Sequence, residues 1–131
     1  MPEILIGLER IEDMIRCKDA LLSRKIPVRK WLIVDRLERM EQVIERLDDT
    51  RALLILGQFK NSTQMTVEFI RKMKERHPKL VVGWFDIVPL VAGNDPTDFY
   101  IKRTTSETFD GNFIREVMRF LEGEAVFQSN P

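Results

Sequence analysis

Cysteine and histidine occur once each, at Cys17 and His77, in a chain of 131 residues. A single cysteine excludes an internal disulfide framework and any cysteine-cluster zinc site. A single histidine removes the usual base of nucleophile–histidine chemistry and most transition-metal ligand sets. Charge of one sign is not in excess either, since 21 Lys and Arg balance 21 Asp and Glu. The broad positive field that non-specific nucleic-acid binding requires is therefore missing, and no direct nucleic-acid contact is expected. No apolar run reaches the roughly 18 residues of a membrane-spanning helix. The opening MPEILIGLER has neither a basic n-region nor a long apolar h-region, so no secretory leader is expected. These absences point to a cytoplasmic domain that binds rather than catalyses, with neither a metal nor a cofactor.

What is present is a 44% hydrophobic composition arranged in alternating periods. At this length it suits one domain with a core of its own. Residues 4–8 form a short apolar run fit for a buried strand. Ile11, Met14, Ile15, Leu21 and Leu22 then recur at helical spacing, with Glu12, Asp13, Arg16 and Asp19 between them. Ile26-Pro27 breaks that helix. Trp31 to Val34 predicts a second strand, ending at Asp35, which is placed to N-cap the next helix. That helix carries Leu37, Met40, Val43, Ile44 and Leu47, and Asp48-Asp49-Thr50 stops it.

Ala52 to Leu56 is the most apolar strand, and Gly57 ends it. Asn61-Ser62-Thr63 supplies N-cap residues for a helix with Met65, Phe69, Ile70 and Met73 inward, closed by His77-Pro78. Strands follow at 80–85 and 99–101. The last helix opens at Asp110-Gly111, carries Phe113, Ile114, Val117, Met118 and Leu121, and is expected to stop at Gly123. That places a domain at 1–123 and a tail at 124–131. Strands and helices alternate except across 86–98, where Pro89, Gly93, Asn94 and Pro96 oppose a helix. Such alternation predicts an α/β fold, a parallel sheet with helices on both faces.

Five such units suit the flavodoxin-like class, with strand order 2-1-3-4-5. Within it, ALLILGQFKNSTQMTVEFIRKMKERHPKLVVGWF has the rhythm of the receiver domains of two-component response regulators, and FYIKR places Lys102 where receivers keep a lysine. The chain resembles a receiver over nearly its whole length, with the fourth helix eroded. Receivers phosphorylate an aspartate at the end of strand three, helped by acids after strand one, a Thr or Ser ending strand four, and that lysine. The chemistry needs Mg²⁺ on the acids to neutralise the transferring oxygens. Here the acceptor position falls on Gly57 and the hydroxyl position on Trp84 or Phe85. Only Glu9, followed by Arg10, stands where paired acids belong, and Arg103 replaces the proline after the lysine. The resemblance thus implies a pseudo-receiver with a degenerate pocket at Glu9, Gly57, Phe85 and Lys102. Lys102 either binds an anion there or pairs with Glu9 or Asp86.

Other features read plainly. The segment 57–63 lacks the second glycine and the Gly-Lys-[Ser/Thr] ending of a phosphate loop. Arg16 and Lys18 flank Cys17, and nearby cations lower a thiol pKa. Charges on the helices are mixed in sign, with Glu68 and Lys72 spaced to attract. The apolar stretch 84–91 either fills the space of the missing helix or forms a contact surface. As a surface it comprises Ile87, Val88, Leu90 and Val91, rimmed by Lys102, Arg103, Arg115 and Arg119. The expected role is phosphorylation-independent regulation in bacterial signalling or transcription control, through a protein partner, an output domain or a homodimer. The alternatives are a flavodoxin-like small-molecule or nucleotide-binding domain and a conventional receiver in another register.

Overall fold

The computed structural model describes residues 2–47, 50–57, 59, 62–91, 95–103 and 109–129, with side chains described up to residue 123. The elements are β1 (Ile4–Gly7), α1 (Ile11–Ser23), β2 (Trp31–Val34), α2 (Leu37–Glu45), β3 (Ala52–Leu56), α3 (Thr63–Arg76), β4 (Leu80–Asp86), β5 (Phe99–Lys102) and α4 (Asn112–Ser129). A single 3₁₀ turn, Val28–Lys30, leads into β2. All four strand pairings are parallel, and the order is β2-β1-β3-β4-β5. This is the flavodoxin-like order expected from the alternation of elements.

Strand alternation divides the core into two layers. Leu5, Leu54, Leu56, Val82 and Trp84 face α2 and α3, where Met40, Ile44, Ile70 and Met73 meet them. Ile4, Ile6, Leu53, Ile55 and Phe85 face α1 and α4, against Cys17, Leu21, Phe113 and Val117. β3 lies at the centre and is buried along its whole length, as an unbroken apolar run should be in a sheet covered on both faces.

Among the described residues no helix joins β4 to β5. Leu90 and Val91 pack instead into the α3-side core, and the Asp98 carboxylate accepts a hydrogen bond from Val82 N at 2.8 Å and ion-pairs with Lys74. The short crossover is thereby pinned to the sheet it crosses. Gly93 and Asn94 lie outside the described residues.

The helix ends follow local chemistry, with some departures from expectation. Ser62 caps α3, its Oγ accepting from Met65 N at 3.2 Å. Asp35 does not cap α2; the cap position is Arg36, in extended conformation, so Asp35 stands one residue too early to reach the free N–H groups. α2 ends at Glu45, and Asp48 and Asp49 lie outside the described residues. Lys72 pairs across to Glu41 of α2 at 3.0 Å, while Glu68 accepts from Gln64. α4 continues through Gly123 to Ser129. A lone glycine costs a helix only about 1 kcal/mol, and no proline follows until residue 131.

The largest departure is in α1. Its buried residues are Asp13, Cys17, Ala20 and Leu21, whereas Ile11, Ile15 and Leu22 of the expected inward stripe are exposed. α1 also ends before the Ile26-Pro27 breaker, in a Schellman turn. Lys25 N donates to Leu22 O and Ile26 N to Leu21 O, with Lys25 in the left-handed region at φ 59°. A residue with a Cβ pays about 1 kcal/mol there. We expect Lys25→Gly to stabilise the fold by about 0.5–1 kcal/mol in urea titrations at unchanged m-value.

Candidate functional site

In this sheet order the carboxyl ends of β1, β3, β4 and β5 converge on one edge, the usual ligand-binding edge of open α/β sheets. β3 runs into Gly57, whose N–H donates to Gly7 O at 2.8 Å. A Cβ on Gly57 would lie 3.0 Å from Leu8 Cδ2 and 3.4 Å from Gly7 O. Even one added carbon would press on its neighbours, and the wall it meets is an aliphatic side chain and a carbonyl. Leu8 is buried, and Phe59 closes from the other side, so tightly that a Cβ on Gly7 would come within 2.9 Å of its ring. Glu9 is half-buried beyond Leu8. The positions expected to form a degenerate pocket, Glu9, Gly57, Phe85 and Lys102, thus lie at an edge whose described residues around Gly57 are mainly hydrocarbon.

β4 adds aromatic mass to the edge. Phe85 is fully buried, with ring centroids 5.2 Å from Phe109 and 5.3 Å from Phe113. Phe109 and Phe113 meet edge to face at 5.0 Å. Trp84 points to the opposite layer and donates its indole N–H to Val88 O at 3.0 Å. Asp86 turns back on its own chain, its Oδ1 accepting from Ile87 N at 2.7 Å. The Tyr100 hydroxyl bonds the carbonyls of Asp86 and Ile87 at 3.0 and 2.9 Å, fixing the exit of β4. Among the described residues no group of three or more His, Cys, Asp or Glu could hold a metal ion.

The cation at this edge is not the one the sequence singles out. Lys102 is exposed, and its backbone stands in register with Asp86 without a side-chain ion pair to a described residue. Arg103, one residue on, follows the parity of buried Ile101 and turns toward the α1 side. Its guanidinium lies over Phe85 at 5.3 Å and Phe109 at 5.6 Å and grips Asp13 of α1 through two hydrogen bonds, at 3.0 and 2.5 Å. Bidentate geometry combined with aromatic stacking is what arginine provides and lysine cannot. Arg103 hydrogen bonds and the Arg103, Arg10 and Arg16 charges hold the Asp13 carboxyl below its ordinary pKa, against a desolvation that pushes it up.

Several expected positions therefore move. Arg103, expected at the rim of a partner surface, is half-buried with its guanidinium on Asp13. Leu90 is buried and Val91 half-buried in the α3-side core, because the missing helix leaves a space they fill. Ile87 and Val88 stay at least half exposed, and Lys102, Arg115 and Arg119 are exposed. Asp13 was legible only as one of several charges on α1. Its spacing of four and seven residues from Cys17 and Ala20, which puts all three on one helix face, is the signal that marks it. The Cys17 thiol is buried and its pKa raised, first by desolvation and then by the Asp13 charge, so the flanking cations do not activate it.

No family model matches the chain, and no curated protein does either. Solved structures do. A response regulator from Thermotoga maritima superposes with a TM-score of 0.63 at 13% identity, covering 90% of this chain and 97% of that one. The response regulator protein TrrA from Thermotoga maritima, in complex with Mg²⁺ and BeF, gives a TM-score of 0.61 at 12% identity over 92% and 99% of the two chains. This chain has the receiver fold.

The Asp13–Arg103 clasp makes stability depend on pH in one direction. The Asp13 pKa in the folded chain lies below the ordinary 3.8, so its contribution is complete above that value and is lost as pH falls through the folded-state pKa. We expect Asp13→Asn to cost about 2 kcal/mol at neutral pH, less than a fully buried pair would, since Arg103 keeps some exposure. The gap between wild type and variant in urea titrations should narrow as pH drops below 4, the value about which an ordinary carboxyl titrates. A gap independent of pH would assign the loss to packing.

Proposed function

We propose that this chain is a receiver-like regulatory module that acts by docking to a protein partner or output domain and does not cycle through an aspartyl phosphate. The observation that supports this reading is the apolar surround of Gly57, where even an added Cβ would press on Leu8. Phosphoryl transfer within a receiver needs a carboxylate nucleophile and carboxylates around Mg²⁺. At this edge Gly57 offers no side chain, a Cβ there would press on Leu8, and Phe59 is packed against Gly7. The half-buried Arg103 there holds a carboxylate of its own chain, which ties α1 to the end of β5. An edge lined in this way offers a nucleotide or small polar ligand few groups to hold it, which favours docking over that alternative.

The role is signal transduction through contact, and the surface we assign to it is at the β4 exit. Ile87 and Val88 stand there as exposed aliphatics on a segment braced by Trp84 and Tyr100, with Lys102 nearby on the adjoining strand end. The exposed Arg115 and Arg119 of α4 orient a partner more than they strengthen its binding.

Incubation with acetyl phosphate and Mg²⁺, followed by intact-mass spectrometry, is expected to show no gain of a phosphoryl group. Beryllofluoride should leave the amide NMR spectrum unchanged. A phosphoryl adduct that hydroxylamine removes, or beryllofluoride shifts clustered at residues 7–9, 57 and 102–103, would overturn the reading.

A further inference from the structure

The charges of α2 are sorted by side. Glu41 and Glu45 face α3, where Lys72 meets the first at 3.0 Å and Arg76 the second at 2.6 Å. Arg36, Arg39, Val43 and Arg46 are spaced three, four and three apart, which sets them in one line on the other flank, beside β2. All three arginines are exposed. Arg36 has Asp35 at 3.6 Å, while Arg39 and Arg46 have no ion pair among the described residues.

β2 is the outermost strand on that side of the sheet and pairs only with β1. Lys30 O accepts from Glu3 N and Val34 O from Leu8 N, each at 3.0 Å. By strand parity the N–H and C=O of Ile33 and the C=O of Trp31 point the other way, along the open edge. The Trp31 N–H is taken by Val28 O. Between the edge and the arginine line lies a groove of about 530 Å³, to which the half-buried Leu32 and Val43 give apolar surface. Glu38 is the one acid lining it, against three arginines.

We propose that this edge takes an acidic extended segment of a protein partner, added to β2 as a further strand with its carboxylates on the α2 side. Backbone pairing along an open edge gives such a contact its affinity, and the side chains of alternate residues give it specificity. The unpaired Arg39 and Arg46 set the sign of the charge. They stand about 10 Å apart along the helix axis, and alternate residues of a strand about 7 Å apart. An acid, an apolar residue and a second acid at alternate positions therefore meet Arg46, then Leu32 and Val43, then Arg39. A second copy of this chain is a poor occupant, because antiparallel pairing of β2 with β2 sets the two arginine lines against each other. A phosphate backbone would meet the arginines but offers no donors in register with the Trp31 and Ile33 carbonyls. β2 and the β4 exit lie on opposite sides of the sheet, so this contact and the docking role proposed above can fail independently.

The probe is a nine-residue peptide with glutamate at its third and seventh positions, isoleucine at the fifth and threonine elsewhere. Titrated into the isotope-labelled full chain, it is expected to give saturable amide shifts clustered at residues 31–46. Arg39→Glu combined with Arg46→Glu, both at exposed positions, should weaken binding by about ten-fold or more with an unchanged circular dichroism spectrum. The same variant should prefer the peptide that carries lysines in place of the glutamates. Lys18→Glu, an exposed charge change on α1, should leave binding as it was. N-methylation of the peptide amides of one parity should abolish binding and of the other parity should not, since only one set faces β2. Absence of saturable binding overturns the proposal and leaves the arginines as a guard against self-pairing of the edge. Binding that survives the double charge reversal overturns the acidic preference, and indifference to which amides are methylated overturns strand addition. A single-stranded oligonucleotide that shifts the same residues at lower concentration than the peptide overturns it in favour of a phosphate backbone.

Discussion

A parallel sheet buried on both faces must be covered on both faces, and much of this molecule follows from that demand. β3 has no residue that reaches solvent, so a helix or something equivalent has to lie over each side of it. α1 and α4 cover one side, α2 and α3 the other. Between β4 and β5, where the described residues form no helix, the requirement persists, and Leu90 and Val91 of the connecting segment turn inward to meet it. The segment has to be held there as well. Trp84, Tyr100 and Asp98 do so with hydrogen bonds to its backbone or to the strand beneath it.

The same pressure toward burial reshapes the strand-end edge. An open α/β sheet usually leaves a crevice at that edge for a ligand. Here Leu8, Phe59, Phe85, Phe109 and Phe113 are all buried around it, leaving hydrocarbon where charge would have to be stabilised. Into this apolar setting the chain places one cation, and Arg103 is accommodated because three interactions act together. Its flat face stacks on two phenyl rings, its fork meets both oxygens of Asp13, and part of it still reaches water. A lone charge at that spot would be costly to bury; a stacked, paired one is tolerated and also ties α1 to β5.

α1 carries the opposite imbalance. Its buried side is made of Cys17, Ala20, Leu21 and one carboxylate, while Ile11, Ile15 and Leu22 face outward. Small residues let the helix lie close to the sheet, and Asp13 is drawn in by Arg103. The outward aliphatics contribute little to this core.

Much of this was readable from residue order. The apolar runs at β3 and β4, the helical periods of α2, α3 and α4, the cap at Ser62 and the helix-opposing Pro89 and Pro96 determine the element order and the missing helix. With that order, the parallel sheet in the sequence 2-1-3-4-5 follows. Glycine at residue 57 by itself removes a nucleophile from the end of β3. The side of α1 that packs inward could not be read, because both of its faces are apolar and periodicity has no preference between them. Sequence pattern pointed to Lys102 at the edge, and that Arg103 turns inward there could not be read, since it depends on strand parity at the end of β5 and on a carboxylate ninety residues away. Leu90 and Ile87 look alike as apolar loop residues, and only the cavity left by an absent helix separates them. Local pattern decides which elements form; the long-range competition for buried space decides which side chains those elements turn toward one another.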